Sequence, residues 1–204
     1  MIRLRLADKL PGPVAQYKMA PLVRRDQMKK VSDTGKGIKS SVLILFYPDD
    51  GEIFIPFIRR QQYDGVHSGQ IAFPGGKYEE HDPDLMHTAI REANEEIGIN
   101  PDQIEVIGYL TSLYIPPSNY NVLPVVAYSR EKPEFEIDKA EVDYLLNFKL
   151  SEITDVRSIT EKEIPMSDGR IFKTPCYLIR DHIIWGATAM ILSEMTDIIE
   201  KAGL

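Results

Sequence analysis

Nine consecutive residues, Arg91-Glu92-Ala93-Asn94-Glu95-Glu96-Ile97-Gly98-Ile99, concentrate carboxylate in one short stretch. On a helix advancing about 100° per residue, Glu96 lies roughly 40° from Glu92 on one side and Glu95 roughly 60° on the other. The three carboxylates then share one face, opposite an apolar stripe. Like charges at this spacing destabilise a helix, so something positive must offset them. Arg91, about 100° around, can pair with one carboxylate but cannot neutralise three. A hard divalent cation can. Mg²⁺ or Mn²⁺ takes carboxylate oxygens and keeps its other positions for water and substrate phosphate. The alternative is a solvated acidic helix face.

The preceding residues, Phe73-Pro74-Gly75-Gly76-Lys77, bear on that choice. Two glycines between a strand and a helix let the backbone approach a ligand or ion closely. Alone they are an ordinary turn; ahead of an acid-rich helix they point to a site. Arg59, Arg60 and Lys77 flank it. They are candidates for phosphate contact, with arginine suited to bidentate recognition, or else surface charges at strand ends. Tyr114, Tyr120 and Pro116-Pro117-Ser118-Asn119 line a pocket or simply stiffen a loop.

The elements that must position these residues follow from periodicity. Asp82 suits an N-cap and Pro83 the first helical position. The helix then runs to Ile97, with Gly98 as its stop and Met86, Ala89, Ile90, Ala93 and Ile97 as its core face. Val42 to Tyr47 is a continuous apolar run, hence a buried strand. The turn at Pro48-Asp49-Asp50-Gly51 returns it as a hairpin through Ile53–Ile58. Gln70 to Phe73 is a short strand. Further strands are expected at Glu105–Leu113, Val122–Tyr128 and Asp143–Phe148. A second hairpin pairs Glu163–Met166 with Ile171–Leu178, and a closing helix spans Thr188–Lys201. Trp185 and that helix read as core packing. Strands and helices interleave while hairpins persist, so the class is α/β with a mixed sheet.

The chain has 204 residues, 43% of them hydrophobic and 27% charged, which suits one well-cored globular domain. No apolar run reaches the roughly 18 residues of a membrane span. One cysteine, Cys176, precludes an intrachain disulfide or a cysteine-cluster metal site. With no signal-peptide pattern at the start, the expected location is cytoplasmic and no membrane partner is expected. Net charge is −7, which argues against nucleic acid as a partner. The charge is uneven: residues 1–40 carry 10 basic and 3 acidic side chains, and the other 164 carry 14 basic and 28 acidic. The expected organisation is a basic, irregular lead-in over 1–40, packed on a single domain over 41–204.

These motifs resemble the Nudix hydrolases, whose pattern is G-x5-E-x7-R-E-U-x-E-E-x-G-U with U aliphatic. Residues 91–99 match its second half, with Ala93 a small first aliphatic. In the first half, Gly76 and Asp82 keep the spacing of the glycine and the acid, and one extra residue separates Asp82 from Arg91. Phe73 to Lys77, Thr88-Ala89-Ile90-Arg91-Glu92, Gly69-Gln70 and Ile184-Trp185-Gly186-Ala187-Thr188-Ala189 resemble the coenzyme A pyrophosphatase branch. The stretch from Arg60 to Gly69 lacks that branch's Leu-Arg pair.

The resemblance implies an α/β/α sandwich around a mixed sheet. It also implies hydrolysis of the diphosphate of a small nucleoside diphosphate derivative, with coenzyme A or an acyl-CoA as substrate and 3′,5′-ADP and a phosphopantetheine as products. ADP-ribose, NADH and related compounds are the runner-up substrates, and a noncatalytic nucleotide sensor is the alternative of another class. In its terms Glu92, Glu95, Glu96 and the Gly76 carbonyl hold Mg²⁺ or Mn²⁺. Arg91 orients the carboxylates. Glu92 or Glu141 serves as general base. A homodimer is left open.

Overall fold

The computed structural model describes residues 2–21, 37–62, 69–165 and 171–203. Two short helices, α1 (Ile2–Leu6) and α2 (Pro13–Gln16), open the chain. Then come β1 (Ile38–Asp49), β2 (Glu52–Arg60), β3 (Ile71–Ala72), β4 (Gly75–Lys77) and helix α3 (Leu85–Ile97). Strands β5 (Ile104–Tyr109), β6 (Leu113–Ile115), β7 (Tyr120–Ser129) and β8 (Val142–Lys149) follow, then helix α4 (Leu150–Thr154). Strands β9 (Ile159–Pro165), β10 (Ile171–Ile179) and β11 (His182–Trp185) lead into helix α5 (Gly186–Ala202).

Strand β1 organises the molecule. One edge pairs in parallel with β7 from Ile38 to Phe46. The other edge takes β4 at Ser40–Val42 and β2 at Tyr47–Asp49. Strand β2 turns away to pair with β8 and β3, so residues 71–77 bridge the two halves of an eight-stranded mixed sheet. Strands β9, β10 and β11 form a separate antiparallel sheet.

The apolar run of β1 is buried on both faces, which explains why it lacks polar alternation. Leu43 and Leu45 pack with Ala89, Ala93 and Ile97 of α3, while Ile44 and Phe46 join Ile191, Leu192 and Met195 of α5. The layers are therefore helix, mixed sheet, helix, as expected. Cys176 is buried packing.

Several local expectations are corrected. Helix α3 begins at Leu85, and its N-cap is Asp84, whose carboxylate accepts the His87 N–H at 2.9 Å. Asp82 is engaged elsewhere. The expected strand over 105–113 is two, β5 and β6, parted at residues 110–112, where the Thr111 N–H leaves the ladder for the Glu194 carboxylate. Strands β4 and β11 were not expected. Glycine has low strand propensity, and β11 is short. The turn over 167–170, and His67, lie outside the described residues. So do residues 22–36 of the lead-in.

What is described of the lead-in rests on α5. Leu6, Ala15, Met19 and Ala20 are buried. Glu194 of α5, with no exposed surface, accepts from Gly12 N, Gln16 Nε2 and Thr111 Oγ1 at 2.7–2.9 Å. Lys18 pairs with Asp197 at 2.7 Å.

Candidate active site

The site forms where β4 meets α3. Gly75 has φ of +150°. A Cβ there would collide with the Ser41 carbonyl and lie 2.6 Å from Val42 Cα, so only glycine lets β4 lie this close to β1. A Cβ on Gly76 would run into the Glu92 carboxylate. The Gly76 backbone thus lies directly against Glu92.

The three glutamates separate. Glu96 is 2% exposed, and its Oε2 accepts the Gly75 N–H at 2.8 Å. Burial pushes its carboxyl up to about 7, and the nearby charges of Glu92 and Glu141 add to the rise, against Arg60 and the Gly75 hydrogen bond. Glu92 is 13% exposed and also raised, mainly by burial, against the pull of Arg91. Glu95 is 57% exposed and held by Arg91 at 2.8 Å. The structure therefore brings Glu92 and Glu96 together over Gly76 and leaves Glu95 outside. The shared face is real in angle, but Glu96 tips toward the core and Glu95 toward solvent.

Arg91 does more than one pairing. It donates to Asp82 Oδ1 at 2.8 Å and Oδ2 at 3.0 Å, and to the Lys77 carbonyl at 3.0 Å. It also lies 3.1 Å from Glu92. Asp82 accepts further from Thr88 Oγ1 and the Glu79 N–H. The Arg91 hydrogen bonds hold the Asp82 carboxyl well below the usual carboxylate range. Asp82 thus anchors Arg91 and the loop over 77–84, in place of the N-cap role expected of it.

The flanking cations diverge, as successive strand residues point to opposite faces. Arg60 Nη2 donates to the Gly75 carbonyl at 2.9 Å, and Nη1 stands 3.9 Å from Glu96 Oε1. Arg59 lies over the Tyr144 ring and 3.7 Å from Asp143. The Lys77 side chain is exposed. Glu141 is exposed on a turn closed by Asp138, and its carbonyl accepts the Gln61 N–H. Its charge raises both Glu92 and Glu96, which places it on the same side of the site.

A cavity of about 190 Å³ adjoins the glycines, bordered by Ser40, Arg60, Gln70, Tyr120, Thr188 and Ile191 among others. The first turns of α5 thus form part of its wall, beyond the packing role expected of that helix. Tyr120 and Ser118 border it, whereas Tyr114 turns to Asn119 at 2.9 Å. A larger groove of about 980 Å³ lies away from this chemistry, between β9, β10 and the far half of α5.

Among the described residues no three carboxylate or imidazole groups stand gathered as a finished ligand set, because Arg91 draws Glu95 away. A divalent cation nonetheless fits the donors that remain. Glu92 and Glu96 carry hard oxygen donors, with the Gly76 main chain beside Glu92. Two mutually repelling, largely buried carboxylates are stabilised either by taking up a proton or by added positive charge, which a divalent cation supplies.

This fold, with a glycine strand set against an Arg-Glu helix, defines a family, and sequence comparison agrees. The NUDIX domain matches residues 37–171, two thirds of the chain. The chain belongs to the Nudix family. It is 33% identical over 168 residues to chloroplastic Nudix hydrolase 22 of Arabidopsis thaliana, covering 79% of this chain and 55% of that protein. It is 31% identical over 145 residues to the mitochondrial coenzyme A diphosphatase NUDT8 of Mus musculus, covering 68% and 66%. The chain thus spans just over half the length of the Arabidopsis relative. Among solved structures, a C. elegans Ap4A hydrolase binary complex superposes with a TM-score of 0.54 at 15% identity, over 82% of this chain and 99% of that one. That likeness is one of fold. Among the described residues no helix is long and apolar enough to cross a membrane.

Proposed function

We propose that this chain is a metal-dependent hydrolase of nucleoside diphosphate derivatives, acting on coenzyme A or an acyl-CoA. The observation that carries the reading is the pair Glu92 and Glu96, set over the Gly75–Gly76 strand with Glu96 buried and bound to the Gly75 N–H. Glu92, Glu96 and the Gly76 carbonyl hold Mg²⁺ or Mn²⁺. When bound, such an ion neutralises the diphosphate oxygens and makes water acidic enough to supply a nucleophile near neutral pH.

The protein's own groups do the rest. Arg91, fixed by Asp82, holds Glu92 toward Gly76 and keeps Glu95 at the rim. Glu92, or Glu141 from its exposed turn, accepts the proton of the attacking water. Lys77 stands at the periphery, where an incoming diphosphate or a 3′-phosphate would meet positive charge. Coenzyme A is favoured by the FPGGK and TAIRE segments and by the 31% identity to NUDT8.

Incubating the purified protein with Mg²⁺ and coenzyme A, ADP-ribose, NADH or dinucleoside polyphosphates, with product masses as readout, tests this. Release of 3′,5′-ADP and phosphopantetheine from coenzyme A, at least tenfold faster than turnover of the others, is expected. Comparable slow turnover of the whole panel overturns the coenzyme A assignment. No turnover of any compound overturns the hydrolase reading.

A further inference from the structure

Sequence position makes Arg60 a candidate for phosphate contact or else a surface charge at a strand end. Its surroundings give it other work. It closes β2, where the register with β8 shifts between Arg59 and Arg60, and bulges of this kind re-aim a side chain near an active site. Its backbone is fixed by the Arg60 N–H donating to the Gln70 carbonyl at 3.0 Å. Its guanidinium then spans the two halves of the sheet to the Gly75 carbonyl at 2.9 Å.

The same Gly75 residue donates its N–H to Glu96 at 2.8 Å. Gly75 is therefore held from both ends: its carbonyl by Arg60, its N–H by Glu96. Arg60 Nη1, 3.9 Å from Glu96 Oε1, closes the triangle. Gly75 occupies a backbone conformation that L side chains rarely adopt, pressed against Ser41 and Val42, so its orientation depends on such outside ties. The next residue, Gly76, lies with its Cα against the Glu92 carboxylate.

We propose that Arg60 is a positioning residue. It fixes the Gly75 peptide and the Glu96 carboxylate relative to each other, and so sets the geometry of the Glu92–Glu96–Gly76 donor group, rather than gripping substrate phosphate. This rests on the hydrolase reading above for its kinetic consequence, but its structural content stands apart from it. Lysine carries the charge on a single nitrogen without the planar fork that presents separate nitrogens to the carbonyl and the carboxylate, so it keeps the attraction but loses the fixed geometry.

The test uses full-length Arg60→Gln and Arg60→Lys, read by hydrogen exchange of the Gly75 amide and by steady-state kinetics with coenzyme A at saturating Mg²⁺. Positioning predicts that the Gly75 amide exchanges at least tenfold faster in Arg60→Gln and that kcat falls at least tenfold. It also predicts that KM stays within threefold and that Arg60→Lys falls between the two forms in both readouts. Unchanged protection of Gly75 in both variants overturns it, as does a rise in KM beyond threefold or an unchanged kcat. If Arg60→Gln does not fold, Arg60→Lys decides by the same criteria. Wild-type protein without turnover would defeat the hydrolase reading, and Gly75 exchange would still decide the role of Arg60.

Discussion

Glu96 carries the sharpest consequences for single residues. Its carboxyl sits near 7 in the folded protein against 4.5 when unperturbed. Between those values the folded chain binds more protons than the unfolded one, so stability falls as pH rises through that window and levels off above it. The shift corresponds to about 3 kcal/mol. Urea denaturation of chelator-treated protein at pH 5 and pH 8 should show a loss of that order. Glu96→Gln, which cannot ionise, should flatten the profile and abolish turnover at saturating Mg²⁺ while remaining folded. Asp82 behaves in the opposite sense. Held low by Arg91, it adds stability above its ordinary range that is lost only in acid. Asp82→Ala leaves Arg91 without its main partner and should cost about 3 kcal/mol by the same denaturation assay, with activity falling because Arg91 no longer orders Glu92. The glutamate motif was legible because its residue types and spacing are local. The division of labour within it was not. Arg91 is claimed by Asp82 and the Lys77 carbonyl, and no spacing rule reveals that.

Among the elements, helix α3 was readable from its apolar period and its Gly98 stop, and β1 from its unbroken apolar run. The start of α3 was read two residues early because Asp82 is as good a cap former as Asp84, and only the Arg91 pairing removes Asp82 from the role. Strand β4 was hidden for a different reason. Gly75 and Gly76 contribute no side-chain signal, and their partners Val42 and Ser41 lie more than thirty residues upstream. Gly75→Ala tests the close approach directly. The added methyl meets the Ser41 carbonyl and Val42 Cα at a positive φ, so a loss of about 2 kcal/mol or more is expected. Activity should vanish well below the melting temperature, since β4 carries the Gly76 carbonyl. A melting curve and an assay at 25 °C on one preparation check both.

At the scale of the molecule, the lead-in and the family domain are not separable pieces. The NUDIX match begins at residue 37, yet Met19 and Ala20 are buried in the main core and Glu194 spends its buried carboxylate on Gly12, Gln16 and Thr111. Deleting residues 1–21 strips two of those partners and exposes apolar surface on α5. Thermal denaturation should show a drop of at least 8 °C, and the shortened chain should aggregate more readily. The sequence charge pattern suggested docking through ion pairs. The described contacts rest more on buried apolar side chains and one satisfied carboxylate, features that become visible only once α5 is placed beside α2. The central claim, that Glu92, Glu96 and the Gly76 carbonyl form a divalent-cation site, is tested most directly by anomalous diffraction from crystals grown with excess Mn²⁺. The account predicts a peak bonded to all three groups. A map with no peak there, and with Glu96 still on the Gly75 N–H and Glu92 still on Arg91, would contradict it.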